Sequence, residues 1–173
     1  MNWKNNLLIP ESEGYSKGIS HLVAQMKYVR KKTVDSVLNL SIEQLDFRAM
    51  TPRNSIGGLL KHLAANERLY QVRYFEDRIF TNSEFEFWNG SLQSASGLST
   101  VSCKGVEYYL ELLGSIRDGT FFNLKTKDDA WLTTVNVFHD VQLKENNYFR
   151  MFHLIEDEIN HAGQIKLIKK QFI

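Results

Sequence analysis

Apolar residues recur at spacings of three and four in four stretches of the chain, and these stretches predict its helices. In the first, residues 15–38, Ile19, Leu22, Met26, Val29, Thr33 and Val37 share one face while Lys27, Arg30, Lys31 and Lys32 take others. Ser41 with Gln44 three residues later has the form of a capping box and predicts a short helical turn before Pro52. Asn54 or Ser55 can cap a second long helix, residues 56–78, whose apolar side carries Ile56, Leu59, Leu63, Tyr70 and Tyr74. Gly57 and Gly58 in its first turn suit a place where another element packs closely. Val106, Tyr109, Leu110, Leu113 and Ile116 predict a third helix that Asp118 and Gly119 should end. The last helix, residues 147–170, is expected to turn Tyr148, Met151, Phe152, Ile155, Ile159 and Ala162 to the core.

The connections are long. Residues 81–105 are rich in Ser, Gly and Asn yet carry Phe85, Phe87 and Trp88, and a link of this length lets the second and third helices run parallel. Between residues 121 and 143, Trp131, Thr133, Val135 and Val137 alternate with other residues, which fits either a strand pair or an extended crossover. The pattern as a whole predicts an all-α protein, a four-helix bundle with long connections and the option of a short strand pair before the last helix. At 173 residues the chain, 1–173, is most economically a single domain.

Composition narrows the partners. With 21 basic and 20 acidic residues the formal charge is +1, so no field favours a nucleic acid or an anionic membrane. No apolar run approaches the roughly 20 residues needed to span a bilayer, and no basic region followed by an apolar run opens the chain. The one cysteine, Cys103, cannot form an internal disulfide, which suits a reducing, cytoplasmic setting; alone and with no His nearby in sequence, it is expected to be a small buried residue.

Chemistry is concentrated on the last helix. His153, Asp157, His161 and Gln164 fall within roughly 80° of one another on the helical wheel, a polar stripe of metal-capable side chains opposite the expected core face. His62 borders the apolar side of the second helix. His62, Asp157 and His161 could together offer two imidazoles and a carboxylate to a divalent ion, the donor set of a catalytic site that keeps a position open. On the residues alone, a core-edge histidine and a solvated helix face explain the same positions. If the stripe opposes the core, an ion on it would lie in an open groove where the second and last helices diverge. Phe85, Phe87, Trp88 and Trp131 could wall that groove or form a satellite core under the loops.

The segments SIGGLLKHLAANER, residues 55–68, and HLIEDEINHAGQ, residues 153–164, resemble the two signature regions of the DinB/YfiT-like superfamily of metalloenzymes. There, a His in the middle of the second helix is followed by a Glu-Arg pair, here Glu67 and Arg68. The last helix carries ligand positions four apart that end just before a Gly-Gln pair, here Gly163 and Gln164. The resemblance implies a four-helix bundle and makes His62, Asp157 and His161 the ligands of a divalent ion, zinc or nickel first. Many members carry His at the position of Asp157; those of the thiol-transferase-like branch carry a carboxylate, usually Glu, one methylene longer. Glu158 lies about 100° round from Asp157 towards the core, and His153 is placed as an outer-shell partner or a substrate contact.

The activity implied is a thiol S-transferase that joins a metal-bound low-molecular-weight thiol, such as bacillithiol or mycothiol, to an electrophile. A metal-dependent hydrolase, and a stress-related binding or scaffolding protein with a vestigial site, are the alternatives. The superfamily's damage-inducible name suggests a DNA-repair role, against which the near-zero charge argues. Related proteins often dimerise, and the apolar-rich helices permit a homodimer.

Overall fold

The computed structural model describes residues 8–48, 54–88, 90–92, 102–138 and 143–172; the start of the chain to residue 7 and Pro52 lie outside them. Its helices are α1 (Lys17–Val37), α2 (Ile42–Asp46), α3 (Ile56–Tyr70), α4 (Asn82–Trp88), α5 (Val106–Leu124), α6 (Asp129–Thr133) and α7 (Asn147–Lys169). A π-helical segment, Gln71–Phe75, extends α3. Strands β1 (Val135–Phe138) and β2 (Leu143–Asn146) pair antiparallel, Val135 opposite Asn146, and lead directly into α7. No helix among the described residues is long and apolar enough to cross a membrane.

The caps explain several boundaries. Ser41 and Gln44 form the expected capping box at α2. Ser55 accepts from the Gly58 amide at the start of α3, and Asn146 accepts from the Phe149 amide at the start of α7. Asp128 accepts from the Trp131 amide, so Trp131 and Thr133 belong to α6 and not to the strand that their alternation suggested. The strand pair begins only at Val135.

Three expectations need correction. First, α5 does not stop at Gly119 but continues to Leu124. Gly119 is kept helical by its neighbours: a Cβ there would stand 3.1 Å from Gln71 Nε2, while Arg117 and Thr120 must stay in helical phase to reach the same buried partner. Second, Cys103 is exposed, with its amide donated to Asp46. Third, the buried face of α7 is Met151, Leu154, Ile155, Glu158, His161, Ile165 and Ile168. Tyr148, Phe152 and Ile159, assigned to the core, are 47%, 44% and 55% exposed. The true face is rotated by roughly 80° towards the polar stripe, because apolar residues mark a buried side only when polar ones are absent from it. Here Glu158 and His161 are buried too.

That exception organises the bundle. The core falls into two clusters. One joins Val37, residues of α3 from Ile56 to Ala65, Val106, Tyr109, Leu113, Ile165 and Ile168. The other joins Ile19 to Val29, Tyr70, Leu124, Met151, Leu154 and Ile155. Between them, each long helix contributes one charge: Arg30 from α1, Glu67 from α3, Arg117 from α5 and Glu158 from α7. They close a ring of four ion pairs, Arg30–Glu67 3.1 Å, Arg30–Glu158 2.7 Å, Arg117–Glu67 2.6 Å and Arg117–Glu158 2.9 Å. Following each helix across this level gives its direction. Helices α1 and α7 run from the second cluster to the first, and α3 and α5 run from the first to the second. The parallel α3 and α5 require a long link, as its length suggested.

Close packing of α3 on α5 also accounts for Gly57. A Cβ at this position would lie 2.4 Å from the hydroxyl of Tyr109, a ring with no exposed surface. Gly57→Ala is therefore expected to lower stability by about 1–3 kcal/mol through overpacking, despite alanine's better helix propensity. Urea denaturation of the variant would show this; a midpoint at or above that of the parent would contradict it.

Candidate metal centre

Helices α3 and α7 meet antiparallel, so residues spaced by four on one face residues spaced by four on the other. Three rungs result. His62 faces His161 with ring centroids 4.7 Å apart, Asn66 donates to Asp157 Oδ2 at 3.0 Å, and Tyr70 faces His153 with centroids 6.2 Å apart. The predicted trio thus comes together: one donor atom from each of His62, Asp157 and His161 lies within 4.8 Å of the other two.

The two histidines are each 8% exposed and Asp157 is half-buried, so the donors line a narrow seam and not an open groove. The cause is the rotation of α7 just described, which carries His161 into the buried row.

The hydrogen bonds of His62 define what the seam can hold. Its Nδ1 lies 2.6 Å from the Ser91 carbonyl and its Nε2 lies 3.6 Å from Asp157 Oδ2. Both ring nitrogens therefore face acceptors, whereas a neutral imidazole has a single N–H. With Nδ1–H given to Ser91, the second acceptor is satisfied by a further proton or by a cation lying between Nε2 and the carboxylate. Burial alone would lower the pKa of His62, but the Asp157 carboxylate and the Ser91 carbonyl together raise it. Asp157 is shifted the opposite way: burial disfavours its charge, yet His161 and His62 beside it hold its carboxyl far below the usual range.

His161 Nε2 stands 3.3 Å from Asp157 Oδ1. Its Nδ1 is buried and has no hydrogen-bond partner among the described residues. Around a tetrahedral ion with bonds of about 2.0–2.2 Å, donor atoms sit about 3.3–3.6 Å apart. The His161–Oδ1 separation of 3.3 Å has that length, while the 3.6 Å separation of His62 is to the other oxygen, Oδ2. The donor set fits a divalent ion of the zinc or nickel type, and three donors leave a position for a further ligand.

The remaining predicted residues lie in different surroundings. His153 is half-buried, stacked on Phe149 with its Nδ1 3.1 Å from Glu156, at the outer end of the ladder. Gln164 is half-buried on α7, three residues past His161. Glu158 belongs to the buried charge ring and faces away from the trio. Trp88 is buried in the first cluster, Trp131 is partly buried and stacks on Phe75 at the margin of the second, and Phe85 and Phe87 are exposed on α4. The Glu-Arg pair divides: Glu67 enters the ring, and Arg68 turns outward to Glu76 and Glu84.

Two neighbours of the trio went unpredicted, although their spacing marks them. Asn66 and Tyr70 are four and eight residues beyond His62, the same interval that picked out His153, Asp157 and His161. Tyr70 in turn accepts from Arg150 Nη1 at 2.9 Å, and Arg150 pairs with Glu145, which also receives the Tyr74 hydroxyl. Burial raises the pKa of Tyr70.

A family model described as Mycothiol-S-transferase matches residues 21–172. Comparison with curated proteins returns no match.

Proposed function

The chain belongs to the mycothiol S-transferase family, and on that premise we propose that it transfers a low-molecular-weight thiol to an electrophilic small molecule, using a divalent ion held by His62, Asp157 and His161. The observation that carries this reading is the convergence of three donors from two helices, with both nitrogens of His62 turned to acceptors. A zinc or nickel ion in such a site supplies Lewis acidity that brings the pKa of a thiol towards neutrality.

The protein's own part is to prepare the seam. The Ser91 carbonyl fixes the tautomer of His62 and leaves Nε2 directed at Asp157. Asp157 stays ionised and lowers the charge that an incoming thiolate would otherwise have to balance alone. Burial of both histidines keeps bulk water from competing for the position left open. We take residues 1–173 as one catalytic domain, since the charge ring and both core clusters draw on helices from α1 to α7.

The test uses untagged full-length protein loaded with zinc or nickel and offered mycothiol or bacillithiol with a generic electrophile such as a chlorinated nitrobenzene. Conjugate formation that a chelator abolishes and added ion restores is the expected result. Conjugation unaffected by chelation would remove the metal from the reading. Hydrolysis of test esters with no thiol requirement would replace the transferase with a hydrolase.

A further inference from the structure

The middle rung of the ladder contains a residue that is not itself a donor to the ion. Asp157 has three polar partners: His62 and His161, whose protons and lone pairs depend on what the seam holds, and Asn66. The amide of Asn66 neither ionises nor exchanges its donor role, so its 3.0 Å bond to Oδ2 does not depend on a protonation state of the donor. That bond takes one lone pair of Oδ2, the oxygen that lies 3.6 Å from His62 Nε2, and leaves Oδ1 turned to His161 at 3.3 Å.

The next rung is held in place by its own partners. Tyr70, one turn beyond Asn66 on α3, accepts from Arg150 Nη1 at 2.9 Å, and Arg150 is anchored by Glu145 at the end of the hairpin. Asn66 and Tyr70 are successive rungs on α3, the helix that also carries His62.

We propose that Asn66 is a positioning residue that makes Asp157 a one-oxygen ligand, setting the reach of this short carboxylate and keeping a coordination position free for substrate. The proposal rests on the ligand assignment made above. An aspartate, one methylene shorter than a glutamate, has little freedom to adjust its reach from the helix. A fixed donor behind one oxygen turns that limitation into a defined geometry.

The test measures cobalt and zinc affinity by competition with a chromophoric chelator, together with the visible absorption of the cobalt form. Asn66→Ala is expected to bind 10–100-fold more weakly. Its cobalt band should lose intensity as the freed second oxygen enters the coordination sphere. The melting temperature of ion-free Asn66→Ala should match that of the parent, since the position is partly exposed and alanine favours helix.

Parental affinity and an unchanged cobalt spectrum in Asn66→Ala would overturn the proposal, as would a fall in ion-free melting temperature with affinity unchanged. His161→Ala, measured alongside, separates the two levels. If it keeps parental affinity, the ligand assignment fails and this inference with it; if it loses affinity while Asn66→Ala does not, only the inference fails.

Discussion

Replacing His161 with Ala is expected to reduce bound zinc or nickel from about one ion per chain to background and to abolish conjugation, while leaving the fold intact. The magnitude follows from the size of the donor set. Structural zinc sites with four donors release about 10–16 kcal/mol on binding, so losing one donor should weaken affinity on the order of a hundred- to a thousandfold. The effect on the ion-free protein should be small for a specific reason. His161 Nδ1 is buried without a partner among the described residues, and an unsatisfied buried group costs about 1–3 kcal/mol. Alanine removes that cost together with the packing of the ring, and the two changes offset. Added ion should therefore raise the melting temperature of the parent and not of the variant. Metal content that survives the substitution would sink the ligand assignment, and a variant that unfolds without ion would show His161 to be a packing residue first.

The helices were legible from periodicity because most of their buried positions are apolar, as in Ile19, Leu22 and Met26 of α1 or Ile56, Leu59 and Leu63 of α3. The candidate site was legible in part, since a spacing of four marks one helix face whatever its environment. What periodicity missed has one common cause, the burial of charge. Arg30, Glu67, Arg117 and Glu158 each look like surface residues in sequence, and only their mutual pairing permits them inside. With Glu158 and His161 left out of the core face of α7, that face swings towards Phe152 and Ile159, and the metal site opens into a groove that the described residues do not show. The same blindness ended α5 at Gly119, two residues past the arginine that anchors it. Partner identity across helices, such as Asn66 opposite Asp157, depends on the antiparallel register of α3 and α7, which no single helix encodes.

The ring itself yields the second large effect. Glu67→Gln would leave two guanidinium groups facing one carboxylate in a site where Glu67 is almost wholly enclosed. Breaking a buried ion pair from one side typically costs about 3–5 kcal/mol, a large share of the roughly 5–15 kcal/mol that holds a domain folded. For a chain of this length the melting temperature should fall by roughly 10 °C or more. The pH dependence separates charge from shape. Burial opposes the charge of Glu67, but Arg117, Arg30 and the Thr120 hydroxyl hold its carboxyl below the usual value. A carboxylate lowered in the folded state contributes stability above its unfolded pKa of about 4.3, and that contribution is lost as pH falls through the folded value. The parent should therefore lose stability steeply in acid, and Glu67→Gln should show a flatter profile from a lower plateau. A double variant, Glu67→Gln with Arg117→Gln, removes one charge of each sign and restores neutrality, so its loss should be smaller than the sum of the single losses. Because Glu67 and Glu158 sit beside the site residues on α3 and α7, ion affinity in Glu67→Gln should fall as well, and added ion should recover part of the lost melting temperature. Additive single and double effects would mean that the four charges do not act as one unit across the four long helices.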